Sequence, residues 1–509
     1  MSTFKIENKT YTVGDFNNYL KELPDVEIDS EAQKTITRSR DYLEQKMREP
    51  DSVIYGVNTG FGRLANVRIA AADLLVLQRN LILSHAVGVG APLPPHVVRL
   101  TMLLKLISFA RGASGVRLEV ALMLARFLSD DILPVIPSQG SVGASGDLAP
   151  LAHMTLPMMG EGNVMHRGML RPITEIFDKF SMAPLVLQAK EGLALINGTQ
   201  VSTAIGLTAV MRLENLMKAA DVIGALTVEG LLGSPTPFRP EVHALKTHAG
   251  SRTVAHNLRS LMAGSTLRES HRQDDDRVQD PYSLRCMPQI HGACRDAIDY
   301  AVTALIGEAN SVSDNPLVLV AEDEIISAGH FHGEMVAMAA DFASIAAAEL
   351  GSVSERRIFA LLAGQSGLPP FLVVKPGLNS GFMMLQVSAA SLVSENKTLA
   401  HPAVVDSIPT GADQEDHVPM STWAARKLSQ ITDNLENILA IEYLAASQAV
   451  DLREGLSGGD GAMAAHALLR EQVDPLEQDR ALSGDLSAAR ELLSTGALVQ
   501  AVEKVVPLS

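Results

Sequence analysis

The stretch Leu213-Glu214-Asn215-Leu216-Met217-Lys218-Ala219-Ala220 sets Leu213, Leu216, Met217 and Ala220 on one helical face, with Arg212, Glu214 and Lys218 elsewhere. This helix is expected to begin near Gln200 and to stop before Ser234-Pro235-Thr236-Pro237, where two prolines cannot continue it. Downstream, a second helix is expected from about Glu334 to Ala363, ending at Gly364 and Pro369-Pro370. A third is expected over roughly Val418 to Leu452, with Leu428, Ile431, Leu435 and Ile438 at three-and-four spacing. Rods of ~30 residues reach ~45 Å, and parallel packing into a bundle is the natural way to bury their faces. No βαβ alternation and no strand-rich region appears, so the fold class read from the sequence is all-α. The first 200 residues differ in texture, with shorter helical runs between Gly-rich loops. A soft boundary near 200 follows: a loop-rich, mostly helical N-terminal domain, 1–200, and a long-helix bundle domain, 201–509.

At 509 residues the chain is too long for one compact core. Apolar residues make up 47% and charged residues 20%, too apolar for disorder. Only 4% is aromatic, a balance that favours helix over strand. A formal net charge of −16 argues against nucleic-acid binding, which needs a basic surface. The dense charge run Asp274-Asp275-Asp276, beside His271 and Arg272, reads as a solvated loop. Two cysteines, Cys286 and Cys294, give no disulfide framework, and a zinc site made of them with His291 lacks any paired-cysteine spacing. Met1-Ser2-Thr3-Phe4-Lys5-Ile6-Glu7 holds no signal core, and the most apolar stretches are interrupted by charges such as Asp341 and Glu349. No membrane span is therefore expected, and cytoplasmic residence follows by elimination.

The candidate chemistry lies in Gly140-Ser141-Val142-Gly143-Ala144-Ser145-Gly146-Asp147-Leu148-Ala149-Pro150-Leu151. Such a run can be a plain turn. Ala144-Ser145-Gly146 can also close on itself, because neither flanking side chain obstructs attack of the Gly146 nitrogen on the Ala144 carbonyl carbon. Loss of water, including the Ser145 hydroxyl, leaves a five-membered ring with an exocyclic methylene. That group is an electrophile, which no standard side chain supplies. Pro150 suits the first turn of a helix starting just after Asp147, and a helix N-terminus favours negative charge building up on the ring.

The segment resembles the signature of the histidine and phenylalanine ammonia-lyase family, whose prosthetic group is 4-methylideneimidazole-5-one (MIO). Matching stretches occur in the family's order: Tyr55-Gly56-Val57-Asn58-Thr59-Gly60-Phe61-Gly62, Leu81-Ile82-Leu83-Ser84-His85-Ala86 and Glu191-Gly192-Leu193-Ala194-Leu195-Ile196-Asn197-Gly198-Thr199-Gln200. Further on come Gln279-Asp280-Pro281-Tyr282-Ser283-Leu284-Arg285, Ser313-Asp314-Asn315-Pro316-Leu317, Phe331-His332-Gly333-Glu334 and Gln414-Glu415-Asp416-His417. The resemblance implies a helical fold akin to the fumarase and aspartase class. It also implies a homotetramer whose active sites each draw on three subunits, and MIO formed from Ala144, Ser145 and Gly146 with no external cofactor and no metal.

An α-amine leaves poorly and a β-proton is weakly acidic, so an electrophile that captures the amine and a positioned base together solve the problem. Tyr55, in its Gly-rich loop, is the candidate base. With an unperturbed pKa near ~10 it must be activated. Read alone, its loop is an ordinary turn, and a phosphate cradle fits it worse because no Lys-Ser/Thr follows Gly62. Arg285 offers a guanidinium fork that matches a carboxylate. Asn197, Gln279 and Tyr282 match family positions that hydrogen-bond substrate or ring, and Phe331 matches an aromatic lying against the ring. His330 and His332 could be read as metal ligands on a strand, but no strand is expected there.

His85 and Glu415 carry the choice of substrate. The resemblance at both is to histidine ammonia-lyases, where these positions face the imidazole. Phenylalanine-specific relatives tend to carry an apolar residue at the first and Gln at the second, since a buried charge beside a phenyl ring is costly. A histidine at the position of His85 can also bond a phenol. Met287, His291, His330, Met335, Gly411 and Asp413 depart from histidine-specific patterns, whereas the missing C-terminal extension of plant phenylalanine lyases favours the bacterial histidine type. The resemblance thus implies elimination of ammonia from L-histidine to give trans-urocanate. Tyrosine or phenylalanine lyases and 2,3-aminomutases are the alternatives, with a catalytically silent helical assembly a rival of another class.

Overall fold

The computed structural model describes residues 2–273, 275 and 277–509. Asp274 and Asp276 of the acidic run lie outside the described residues. The chain is predominantly helical, and its long rods, except Met287–Ala309, fall where apolar period and helix stops in the sequence place them. The rods are Gln200–Gly230, Met287–Ala309, Glu334–Leu362 and Ser421–Asp451. At about 1.5 Å per residue, a 31-residue helix spans about 46 Å. Leu213, Leu216, Met217 and Ala220 are all buried, as are Leu428, Ile431, Leu435 and Ile438. Glu334–Leu362 is long and apolar enough by composition to cross a membrane, yet 67% of its most apolar window is buried in protein.

The chain forms two compact units that interleave in sequence. The first holds 1–208, Val302–Asp341 and Pro402–Arg426, and the second holds Ala209–Ala301, Phe342–His401 and Lys427–Ser509. Where the sequence suggested one boundary near 200, four of the five divisions fall inside the long helices and the fifth in the loop at His401 and Pro402. Strands, which the sequence did not announce, occur among the described residues as four small sheets in the first unit. Thr3–Ile6 pairs parallel with Asp25–Ile28, and Val89–Pro92 pairs antiparallel with Pro137–Gln139. Ile132–Pro134, Asn163–His166 and Met169–Pro172 form a three-stranded antiparallel sheet in which Ile132 faces His166. Leu317–Leu319 pairs with Glu324–Ile326. Each strand has three or four residues, so these are clips between helices rather than a layer.

In the first unit the helix Pro95–Ala110 is buried on nearly every side, as its sequence Met102-Leu103-Leu104-Lys105-Leu106-Ile107 suggests apart from one lysine. The second unit packs the long helices side by side around a buried polar network. Arg357 forks onto Glu442, Nε to Oε1 at 2.5 Å and Nη2 to Oε2 at 2.9 Å, both side chains fully buried. Thr227 and Ser354 donate to the same carboxylate. Arg357 Nη1 reaches His291 Nε2 at 3.1 Å, and His291 Nδ1 meets Asp221 at 2.8 Å. Because arginine can only donate, Nε2 accepts and the imidazole proton sits on Nδ1. Burial lowers the His291 pKa and keeps the ring neutral. His291 is thus committed to this network, and Cys294 beside it in sequence is a buried thiol that burial pushes up to about 12.

Candidate active site

Ala144, Ser145 and Gly146 lie in the loop entering the helix Leu148–Thr155, whose N-cap is Asp147. The loop turns back on itself: Gly143 and Ala144 each pair with Gly146, and Gly146 pairs with Gly198. A backbone bridge between residues two apart folds the Gly146 peptide toward Ala144, the approach that ring closure demands. Gly146 has φ +73°, and a Cβ there would lie 2.2 Å from the Gly198 carbonyl oxygen, so no other residue fits. At Gly143 a Cβ would fall 2.1 Å from Ser421 Oγ. The loop is further pinned by Gly333 N–H donating to Gly143 O at 3.0 Å and Met420 N–H to Val142 O at 2.8 Å.

Asp147, fully buried, does not cap the helix with its side chain. Its carboxylate instead accepts from Ser202 N–H at 2.8 Å, Ser202 Oγ at 2.9 Å, Thr422 Oγ1 at 2.7 Å and Ser141 Oγ at 3.3 Å. Burial pushes its pKa up against the pull of these donors. The Asp147 N–H donates to Gly198 O at 2.7 Å, so the loop and the segment 197–202 are stitched in both directions. Asn197, at the end of the short helix Glu191–Ile196, donates Nδ2 to the Ser145 carbonyl oxygen at 3.0 Å.

Glu415 lies against the same tripeptide, its Oε1 accepting the Ser145 hydroxyl at 2.8 Å. Its other oxygen accepts the Thr410 hydroxyl, and Thr410 and Glu415 also pair through their backbones. His85 ends the helix Leu74–His85, with Nδ1 2.8 Å from Leu81 O. That carbonyl fixes the proton on Nδ1 and leaves Nε2 an acceptor. Burial lowers the His85 pKa, and the charge of Glu415 acts on it in the opposite sense. His85 and Glu415 together therefore offer two acceptors, one neutral and one anionic.

Tyr55 is half-buried and its hydroxyl oxygen accepts the Gly62 N–H at 3.1 Å, which orients the ring. Phe331 is half-buried in the segment before Glu334–Leu362, held to the Gly143 loop through Gly333. His332 and His417 stack at 6.0 Å, with Glu334 near both. Among the described residues no cluster suited to a metal ion is present. Tyr55, His85, the tripeptide, Asn197, Phe331 and Glu415 all belong to the first unit; Gln279, Tyr282 and Arg285 belong to the second. There Tyr282 is 68% exposed, its ring lies 4.6 Å from the Arg285 guanidinium, and Arg285 Nε donates to Asp280 O at 2.9 Å. That single bond leaves the terminal nitrogens of Arg285 for a carboxylate.

Sequence reading passed over Thr410, which fixes Glu415, and Lys105, whose ammonium donates to Asn197 O at 2.6 Å. For Lys105 a signal existed: a lone cation inside an apolar helical run.

A helical chain whose Ala-Ser-Gly loop is folded back beneath an amide donor is the arrangement of an ammonia-eliminating lyase fold. The aromatic amino acid lyase family model matches residues 11–471, and the chain belongs to that family. It is similar to histidine ammonia-lyase from Trypanosoma cruzi at 37% identity and TM-score 0.92, covering 99% of this chain and 96% of that one. Tyrosine aminomutase from Streptomyces globisporus is 35% identical with TM-score 0.93, both chains covered in full. Pantoea agglomerans phenylalanine aminomutase is 32% identical with TM-score 0.92, covering 98% of this chain and all of the other. The family makes this a carbon–nitrogen lyase-type enzyme acting on an amino acid.

Proposed function

We propose that this enzyme is a histidine ammonia-lyase, converting L-histidine to trans-urocanate and ammonia, with MIO formed from Ala144, Ser145 and Gly146 as its prosthetic group. The residues fit that group: the tripeptide is folded for closure, Gly146 admits no side chain, and the Asn197 amide already meets the oxygen that becomes the ring carbonyl. When formed, MIO supplies an electrophilic methylene that captures the substrate amine. With that group in place, the Asn197 amide would donate to the Ser145 carbonyl oxygen and, with the N-terminus of Leu148–Thr155, favour negative charge there. Tyr55 takes the β-proton, and Phe331 walls the site. Arg285 binds the carboxylate, with Gln279 and Tyr282 adding polar contacts. The reading also makes the enzyme a cytoplasmic homotetramer whose active sites each draw on three subunits.

The observation that carries histidine is the acceptor pair His85 Nε2 and Glu415. An imidazolium has two N–H donors to match two acceptors, whereas a phenol has one and a phenyl ring none. The likeness to tyrosine aminomutase supports a second reading, in which a phenol bonds His85 and the amine returns to the β-carbon. Incubation with L-histidine, followed by the ultraviolet absorbance of urocanate, decides between them. Urocanate is the expected product; coumarate or cinnamate from tyrosine or phenylalanine overturns the substrate, and β-histidine makes the enzyme a mutase. Ring closure removes two waters from the encoded mass, and a chain reproducibly at its encoded mass refutes the chemistry.

A further inference from the structure

We infer that Lys105 is a positioning residue for the Asn197 oxyanion donor, fixing the Asn197 main chain and adding positive potential behind the amide that holds the Ser145 carbonyl. The inference rests on the lyase reading above and concerns a residue outside every motif quoted for it.

Lys105 is 1% exposed on the helix Pro95–Ala110. Its Nζ donates to Asn197 O at 2.6 Å and to Ala194 O at 3.1 Å, the carbonyls at the C-terminal end of Glu191–Ile196. Those groups are orphaned by the helix geometry and carry partial negative charge, so an ammonium is well placed there. An apolar residue and a looser loop would avoid burying a charge, which is costly without an ion partner. The nearby carboxylates are engaged otherwise: Asp314 forms an ion pair with buried Lys190 at 2.8 Å, and Asp147 is held by hydroxyls and a main-chain N–H. Lys105 is thus a cation satisfied by neutral dipoles, and its field is not cancelled by a contact partner.

The Asn197 side chain shows why this matters. Nδ2 holds the Ser145 oxygen, but Oδ1 is buried with no hydrogen-bond partner. Nothing anchors the far end of the amide, so its aim depends on the backbone. That backbone is fixed by Asn197 N–H to Leu193 O at 2.8 Å and by Lys105 on the carbonyl. Removing Lys105 frees one of these two restraints. Burial pulls the ammonium down to about 7, Asp314 and Asp147 draw it back up, and Lys190 opposes them. Its charge is therefore sensitive to neighbours, and Lys105→Arg keeps a cation that does not titrate.

The test compares wild-type holoenzyme with Lys105→Met, Lys105→Gln and Lys105→Arg. It reads intact mass, the rate at which cyanide adds to the ring by mass and absorbance, and kcat and KM for L-histidine. With both waters lost, Lys105→Met is expected to lower kcat about 10- to 100-fold with KM within about threefold, since the lost interaction belongs to the transition state. Cyanide addition should slow by a similar factor, and Lys105→Arg should recover most of both rates. Should Lys105→Met fail to close its ring, Lys105→Gln, which keeps amide N–H donors but no charge, must show the same deficit. A ring-bearing Met or Gln variant with wild-type kcat and cyanide rate overturns the inference, as does a rise in KM with kcat unchanged. Wild-type protein at its encoded mass would refute the lyase reading itself, a separate failure.

Discussion

Both units bury charge, and although Lys190 and Asp314 pair in the first as well, one network in each satisfies its charge in the opposite way to the other. In the second, Arg357 and Glu442 neutralise each other across a two-pronged contact, and His291 is held neutral between Arg357 and Asp221. In the first, Asp147 rests on hydroxyls and a main-chain N–H, and Lys105 on two carbonyls. A closed ion pair projects little field beyond itself and is expensive to break. A charge held by neutral dipoles keeps its field, at a cost in desolvation, and can act on chemistry nearby. The first arrangement serves shape; the second serves a reaction.

That contrast can be broken by substitution. The largest effect is expected from Ser145→Ala, which removes the methylene source. Turnover should fall about 10⁴-fold or more with the unfolding transition in urea unmoved, and a variant with substantial activity would deny the tripeptide its role. Arg357→Met should do the reverse. Leaving Glu442 buried without its cation costs about 3–5 kcal/mol in urea unfolding, with loss of two waters from the mass unaffected. Adding Glu442→Leu should return part of that loss; an unchanged transition in the single variant would show that the network is not structural. Glu415→Gln is expected to lower kcat/KM for histidine about 10²-fold, roughly 2.7 kcal/mol, and to harm phenylalanine less. Equal losses for both substrates would detach Glu415 from substrate choice. Smallest is Thr410→Val, which removes one donor from Glu415 for about 1 kcal/mol. Its expected mark is a severalfold loss in kcat/KM for histidine without a shift in unfolding.

Three of the long helices were legible because each carries an apolar face or a hard stop, whereas Met287–Ala309 was not anticipated. The expected Val418–Leu452 rod appears as Ser421–Asp451, and Glu334–Ala363 as Glu334–Leu362. The small sheets were not, since strands of three or four residues carry no alternation to read; Val89–Pro92 is exposed throughout. Nor does any local pattern record that 302–341 and 402–426 join the first unit, because that is settled by packing between distant segments. At the site, the tripeptide, His85 and Glu415 were visible through their motifs, yet the bond from Ser145 to Glu415 spans 270 positions and no spacing rule reaches it. Thr410 and Lys105 escaped for a related reason: each acts through another residue.

The fit of Gly146 against Gly198 has a consequence for how the enzyme comes to be. The doubled-back loop is held by segments near 198, 333 and 421 docked on it. On the proposed chemistry, closure is irreversible and needs that docking, so each ring is a stamp applied after assembly of its surroundings. A population of chains would then carry its own folding record in its mass: those two waters lighter have once been native, whatever state they are later found in.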